Sequence, residues 1–331
     1  MTKTKTTIRR KSLNPREPWK QLVPGEARRL SSKGKFDFFW VVLEGGMLGL
    51  MLRLSSFPEP APRLPKLKNL VLSFRIVEGC GALVLGLKER SQAEIFETLC
   101  LDVVSAGEAA ENRNDALARV IQRTRRWHHL LRGGRSGGLS VEEQRGLVGE
   151  LAFLREFATE LGPGAAIEAW KGPTGAAKDF EFIGECVEIK TIRSAAKPHV
   201  TISSEDQLAD VEGNRVFLTV TNVASAVSPE GLSLHDHVRM TAELFEAADD
   251  AIDVWEEAIY STGYDPENYY DGRRWQLGSS TVFEVTKGFP RISTPLPSGV
   301  EHVRYTLALD ACAPFTLDGN LLDIIRERHA E

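Results

Sequence analysis

Residues 178–192 (KDFEFIGECVEIKTI) concentrate the side chains of this chain that are best suited to chemistry. Asp179, Glu188 and Lys190 stand there among apolar and β-branched residues, where ordinary surface charge is out of place. Two carboxylates supply hard oxygens, which select Mg2+ or Mn2+ over softer metals. A cation held between them polarises a substrate oxygen and lowers the pKa of a bound water. A lysine beside it can position or deprotonate that water, or stabilise the charge that develops as the water attacks. Glu188-Ile189-Lys190 is the only Glu-x-Lys of the chain. The plainer alternative is a solvated hairpin face carrying a Glu–Lys pair.

These residues need a β-hairpin to bring them together. Gly184-Glu185 suits a two-residue turn of the Gly-X kind. That turn places Asp179 opposite Lys190, and Glu181 opposite Glu188. Side chains alternate along a strand, so Asp179, Glu188 and Lys190 share one face. Phe180, Phe182, Val187 and Ile189 fill the other. Asp179 and Glu188 are then diagonal neighbours, near enough to hold one divalent ion. The backbone carbonyl of Ile189 offers a third oxygen.

The flanking elements follow from pattern. Ser140-Val141-Glu142-Glu143 is a capping box that starts a helix running to about residue 161, where Gly162-Pro163 ends it. Leu147, Leu151 and Leu154 mark its apolar stripe, and Gly146 and Gly149 permit close approach to another element. Glu150 lies among them. Residues 170–178 (WKGPTGAAK) form a loop whose Lys171 and Lys178 face nucleic acid or simply solvent. A strand is expected at 200–203. A helix follows at 204–209, capped by Ser203 or Ser204, with Gln207 toward the site. A buried strand spans 215–223. The order helix, hairpin, strand, helix, strand is an αβββαβ core, a mixed sheet with helices on its faces.

Upstream, residues 1–35 carry eleven Lys or Arg against only Glu17 and Glu26. They read as a basic, partly loose arm. Short apolar runs at 36–43, 47–54, 69–77 and 82–87 predict an antiparallel sheet, and residues 92–104 and 114–131 predict helices. Arg119, Arg123 and Arg126, with Arg125 and Arg132, populate the polar face of the second helix. That face either contacts phosphate or is solvated. The run GGRSGG at 133–138 marks a boundary between a β-rich domain at 36–135 and a second domain at 136–331. Residues 241–271 hold ten acids and no Lys or Arg. One acidic helix is expected over 234–259. His235 and His237 at its start lack an evident third metal ligand, so capping or surface roles are expected. Further strands are expected at 275–276, 281–285 and 302–309, and a closing helix at 321–328.

Composition narrows the class. The chain has 331 residues and a net charge of −5, enough for two domains and too little positive charge for a bulk polycation. Its four cysteines form no Cys-x-x-Cys pair, so free thiols are expected rather than a zinc site. No run approaches the length of a membrane span, and the N-terminus has no secretory h-region. A soluble, cytoplasmic protein is expected.

The blocks GLVGELAFL at 146–154, KDFEF at 178–182 and VEIKT at 187–191 resemble the PD-(D/E)XK nuclease superfamily. Within it they are similar to a bacterial branch of "PD-(D/E)XK motif" proteins. The segments SSEDQL at 203–208, GY at 263–264, FPRI at 289–292 and VRYTL at 303–307 support this, and the resemblance covers about residues 35–320. It implies a restriction-endonuclease-like αβββαβ core, α+β or mixed α/β, behind an N-terminal β-rich domain. It also implies a Mg2+-dependent DNA endonuclease, with Mn2+ able to substitute, encoded among restriction or phage-defence genes. The implied partners are DNA, a second copy of the chain, and an ATPase, helicase-like protein or methyltransferase. Carried over by position, Asp179 and Glu188 are the ligands, Lys190 the catalytic lysine and Glu150 the helix acid of the metal site. One departure stands out: the motif's proline is absent, and Lys178 precedes Asp179. Two other expectations compete: a non-catalytic DNA-binding or regulatory subunit, and a scaffold that docks a helicase.

Overall fold

The computed structural model describes residues 3–4, 7–9, 18–57, 59, 61–62, 64–65, 67, 69–131, 138–193, 198–226, 230–270, 272–292 and 296–329. The chain divides into two compact units, Met1–Gly134 and Arg135–Glu331. Residues 132–137, which hold most of the expected glycine-rich boundary, lie outside the described residues.

The first unit is a sheet with two helices on one face. Its strands are β1 (Lys3–Thr4), β2 (Thr7–Arg9), β3 (Glu26–Arg29), β4 (Phe38–Val42), β5 (Leu48–Arg53), β6 (Leu70–Val77) and β7 (Cys80–Leu87), in the order β1-β6-β7-β5-β4-β3-β2. The four apolar runs pair antiparallel, as expected. The stretch expected as a loose basic arm instead places β3 in the sheet beside β4. Helices α1 (Ala93–Glu108) and α2 (Arg113–Leu131) bury Phe96, Leu99, Val103, Leu117 and Val120 against Phe38, Trp40, Leu50 and Leu85.

The second unit opens with α3 (Val141–Leu161). Ser140 Oγ accepts from the Glu143 amide, and the Glu143 carboxylate accepts from the Ser140 amide, so the capping box forms. Gly162, at φ 86°, ends the helix, and Pro163 then starts α4 (Pro163–Ala169) at once. Proline at a first helical position loses no hydrogen bond, so the expected stop is also a start. The chain continues through β8 (Phe180–Glu181), β9 (Glu185–Ile192), β10 (His199–Ile202), β11 (Arg215–Ala226), α5 (Leu234–Phe245), α6 (Asp249–Ser261), β12 (Arg274–Glu284), β13 (Tyr305–Ala308) and α7 (Leu321–His329).

The main sheet has the order β12-β11-β9-β8, with β9 and β11 parallel and the outer pairs antiparallel. Phe180 and Phe182 stack on Phe153 and Phe157 of α3, at ring separations of 4.7 and 5.0 Å. This aromatic cluster seats the helix on the hairpin. A second cluster, including Val200, Ile202, Val216, Leu218 and Val220, fills the opposite face. The class is mixed α+β, as expected.

Four local expectations are corrected. Phe180 pairs with Val187 and Glu181 with Cys186, so Ile183-Gly184, not Gly184-Glu185, forms the hairpin tip. Gly184 there has φ 83°, a conformation that side chains resist. Moving the tip by one residue shifts the pairing by two. The shared face of Asp179, Glu188 and Lys190 survives, and Asp179 falls across from Glu188 rather than Lys190. The strand near 200–203 leaves the main sheet and, among the described residues, pairs with β13 alone. The helix expected at 204–209 is one 3-10 turn, Glu205–Leu208. The single helix expected over 234–259 is broken between α5 and α6.

Candidate metal and catalytic centre

β9 carries Glu188 and Lys190 two residues apart, so they share a face. Lys190 Nζ donates to Glu188 Oε1 at 2.5 Å. Glu188 is 1% exposed, and its Oε2 is buried with no hydrogen-bond partner. Asp179 precedes β8, and its Oδ2 accepts from the Ile189 amide at 2.7 Å. Ile189 thus meets the Asp179 carboxylate through its N–H. The Asp179 carbonyl accepts from the amides of Lys171 and Gly172, at 2.7 and 3.0 Å, which pins the preceding loop against the hairpin.

Helix α3 delivers Glu150. A Cβ at the neighbouring Gly149 would collide with Thr191 Cγ2, so the glycine lets α3 lie close over β9. Glu150 Oε2 accepts from the buried Trp170 Nε1 at 2.9 Å. Gly172 completes the arrangement. A Cβ there would sit 2.9 Å from Glu150 Oε2 and 3.2 Å from Asp179 Oδ1. Both carboxylates therefore border the small space that the glycine leaves open.

Among the described residues, Lys190 is the one cation hydrogen-bonded to this trio of acids. Burial, then the Asp179 charge, pushes the Glu150 carboxyl up to about 8. The same causes raise Glu188 to about 8, with Lys190 opposing them. Burial also raises Asp179, against the pull of Lys190 and the Ile189 amide. Crowded carboxyls of this kind favour protons or a cation. The unpartnered Glu188 oxygen, the space beside Gly172 and an all-oxygen donor set fit a hard divalent ion. Among the described residues, no three His, Cys, Asp or Glu side chains already close around one point as a finished cage.

The family described as "Putative PD-(D/E)XK family member" (DUF4420) matches residues 15–310. The chain belongs to this family. No curated protein and no solved structure matches it.

In this PD-(D/E)XK family member, Lys178 fills the place before the acid in an unexpected way. It is 2% exposed, and its Nζ donates to the carbonyls of Asp206 and of Ala209, the latter at 3.1 Å. It braces the turn at 205–208 from inside and is not presented to nucleic acid. Burial lowers its pKa. Lys171 is half-buried in the pinned loop. Gln207 is committed locally, its Oε1 accepting from the Ser203 amide at 2.8 Å. Arg119, Arg123 and Arg126 belong to α2 of the first unit. Arg119 pairs with Asp115 at 2.9 Å and Arg123 with Asp102 at 3.6 Å, so they neutralise that unit's own acids.

The two histidines are structural. His235 lies between Tyr264 Oη, 2.6 Å from Nδ1, and the Asn268 carbonyl, 3.0 Å from Nε2. His237 is buried against Arg155. Burial and that guanidinium lower it to about 4.

Sequence reasoning passed over Trp170 and Gly172. The signal for Trp170 was a lone tryptophan next to the motif, because a buried indole N–H needs an acceptor. It also passed over Tyr305, a half-buried phenol in the field of Arg291 and Lys190. Tyr305 and Arg291 lie in the VRYTL and FPRI segments, to which no role was attached. No helix among the described residues is long and apolar enough to cross a membrane.

Proposed function

We propose that Asp179, Glu188, Lys190 and Glu150 form the centre of a metal-dependent nuclease that hydrolyses phosphodiester bonds of DNA. The observation that carries this reading is the convergence of three carboxylates on one paired lysine, with Glu188 Oε2 buried and unpartnered. Bound Mg2+, or Mn2+ in its place, would polarise the phosphoryl oxygen and lower the pKa of a water. Asp179 and Glu188 hold the ion. Glu150, fixed by Trp170, adds negative charge from the α3 side. Lys190, once released from Glu188, orients the attacking water and stabilises charge at the pentacovalent phosphorus. The water gives up a proton to solvent as its oxygen bonds to phosphorus, the P–O ester bond breaks, and solvent protonates the departing oxygen. One such centre cuts one strand, so a double-strand break requires two copies or two successive cuts.

A second reading is a non-catalytic DNA-binding or regulatory subunit on the same fold. One observation favours it: Lys190 closes on Glu188, and no three-donor cage stands preformed among the described residues.

Calorimetric titration with Mn2+ separates the two. The nuclease reading predicts saturable binding to the wild type and none to Asp179→Ala. Gly172→Ala, whose methyl enters the space beside Glu150 and Asp179, should weaken binding by about 10-fold or more, on the scale of supporting-residue losses in metal sites. A folded wild type with no saturable Mn2+ binding would support the non-catalytic reading.

A further inference from the structure

A second group of cations lies along α3 and β9 beyond the proposed centre. Arg145 is on α3 five residues before Glu150, roughly 7–8 Å along the helix axis. Arg193 follows the end of β9, three residues past Lys190 and about 10 Å along the strand. Arg273 precedes β12. Trp275, 1% exposed, joins them: the guanidinium carbons of Arg145 and Arg273 lie 5.3 and 5.8 Å from its ring centroid.

Arg145 is the unusual member. It is 7% exposed, and its Nε is buried with no hydrogen-bond partner. Burying a guanidinium costs free energy unless acceptors replace water. A ring face offsets part of that cost but satisfies none of the five N–H donors. Glu142, the acid whose charge acts on Arg145 among the described residues, is already paired with Arg193 at 3.0 Å. Burial, Arg193 and Arg273 all lower the Arg145 pKa, and Glu142 alone opposes them. Among the described residues, two further guanidinium groups and one carboxylate thus act on Arg145.

Planar guanidinium forks match phosphate oxygens and bind them in pairs. The cluster draws on three separate elements, two of which also build the proposed centre. Tyr269, next to Gly272 and 81% exposed, offers a free ring at the rim. Exposed aromatic rings beside basic grooves stack bases in nucleic-acid sites.

We propose that Arg145 and Arg273, which flank Trp275, and Arg193, whose charge acts on Arg145, bind the phosphate backbone of the nucleic-acid strand that runs to the Asp179–Glu188 centre. This rests on the nuclease reading for the direction of the strand and on the cluster itself for the anion.

The test is fluorescence anisotropy of the full chain with a labelled DNA duplex and its single strand, without divalent metal, over a range of KCl. Arg193 is 62% exposed and Arg273 is exposed, so the double variant Arg193→Gln/Arg273→Gln should melt as the wild type does. We expect its affinity to fall roughly 10-fold or more at low salt, and its salt slope to fall by about 2. Glu142→Gln, which removes the one local acid, should tighten binding. Unchanged affinity and slope in the double variant would overturn the proposal. So would a thermal shift with inorganic phosphate that the double variant loses while its DNA affinity stays intact, because that marks a small-anion site. The outcomes also separate from the nuclease reading. Variants that bind DNA normally, beside a wild type that cuts it, sink the cluster alone. Variants that lose DNA binding, beside a wild type that never cuts, sink the nuclease alone.

Discussion

Glu150 accepts one hydrogen bond from Trp170 and faces a second carboxylate, Asp179, with no cation paired to it among the described residues. In the folded chain burial and the Asp179 charge push its pKa up to about 8, whereas an unfolded glutamate titrates near its ordinary 4.5. The folded state therefore binds more protons between these limits, and the group costs the metal-free protein stability as pH rises from 4.5 to about 8. Glu150→Gln retains an acceptor for Trp170 and removes the charge. Metal-free Glu150→Gln should be more stable than the wild type by roughly 1–3 kcal/mol at pH 9, with the gap closing near pH 5. It should also lose part of the stabilisation that Mn2+ gives the wild type. Thermal melts over pH would show this; equal melting at every pH would contradict it. Asp179, Glu188 and Lys190 were legible because charge inside an apolar run is conspicuous. Gly172 and Trp170 were not, because their relation to the acids exists only once the Asp179 carbonyl pins the loop. Arg145 reads in sequence as one more solvated helix arginine. Its burial comes from Trp275, far along the chain.

At the scale of elements, the proposed site depends on how closely α3 lies on β9. Gly149 sets that distance, since a Cβ would meet the β-branched Thr191, which has little freedom to move aside. Alanine favours a helix over glycine by about 1 kcal/mol. Even so, Gly149→Ala should destabilise the protein by about 1–3 kcal/mol, because overpacking costs more than propensity returns. Urea denaturation measures the sign directly, and a stabilised Gly149→Ala would show that α3 stands further off. The hairpin shows what pattern conveys and what it does not. Alternation identified the shared face, and this survived a misplaced turn because the register moved by an even number of residues. The position of the tip depended on which residue takes a positive φ, and Gly184 fits either place in a two-residue loop. The partner of β10 was illegible for another reason: an apolar strand announces its burial, not its neighbour. The break between α5 and α6 was hidden by apolar spacing that continues across it. Asp249-Asp250 at the new N-terminus, where negative charge is favoured, was the available signal.

At the scale of the molecule, the family match spans residues 15–310 and so takes in both compact units. The β-rich unit is part of what defines the family. With a net charge of −5, the proposed attraction for DNA rests on local fields rather than on the chain as a whole. Arg119 and Arg123 of α2 are engaged with acids of their own unit, whereas the buried Arg145 Nε has no hydrogen-bond partner among the described residues. Cleavage of supercoiled plasmid by the full chain tests the proposed hydrolysis most directly. Wild type, Asp179→Ala and Lys190→Ala would be compared with Mg2+ and with Mn2+, each shown to be folded. The prediction is metal-dependent nicking or cutting by the wild type, reduced about 100-fold or more in both variants. Cleavage that survives both substitutions, or a folded, DNA-binding wild type that cuts with neither ion, would contradict it.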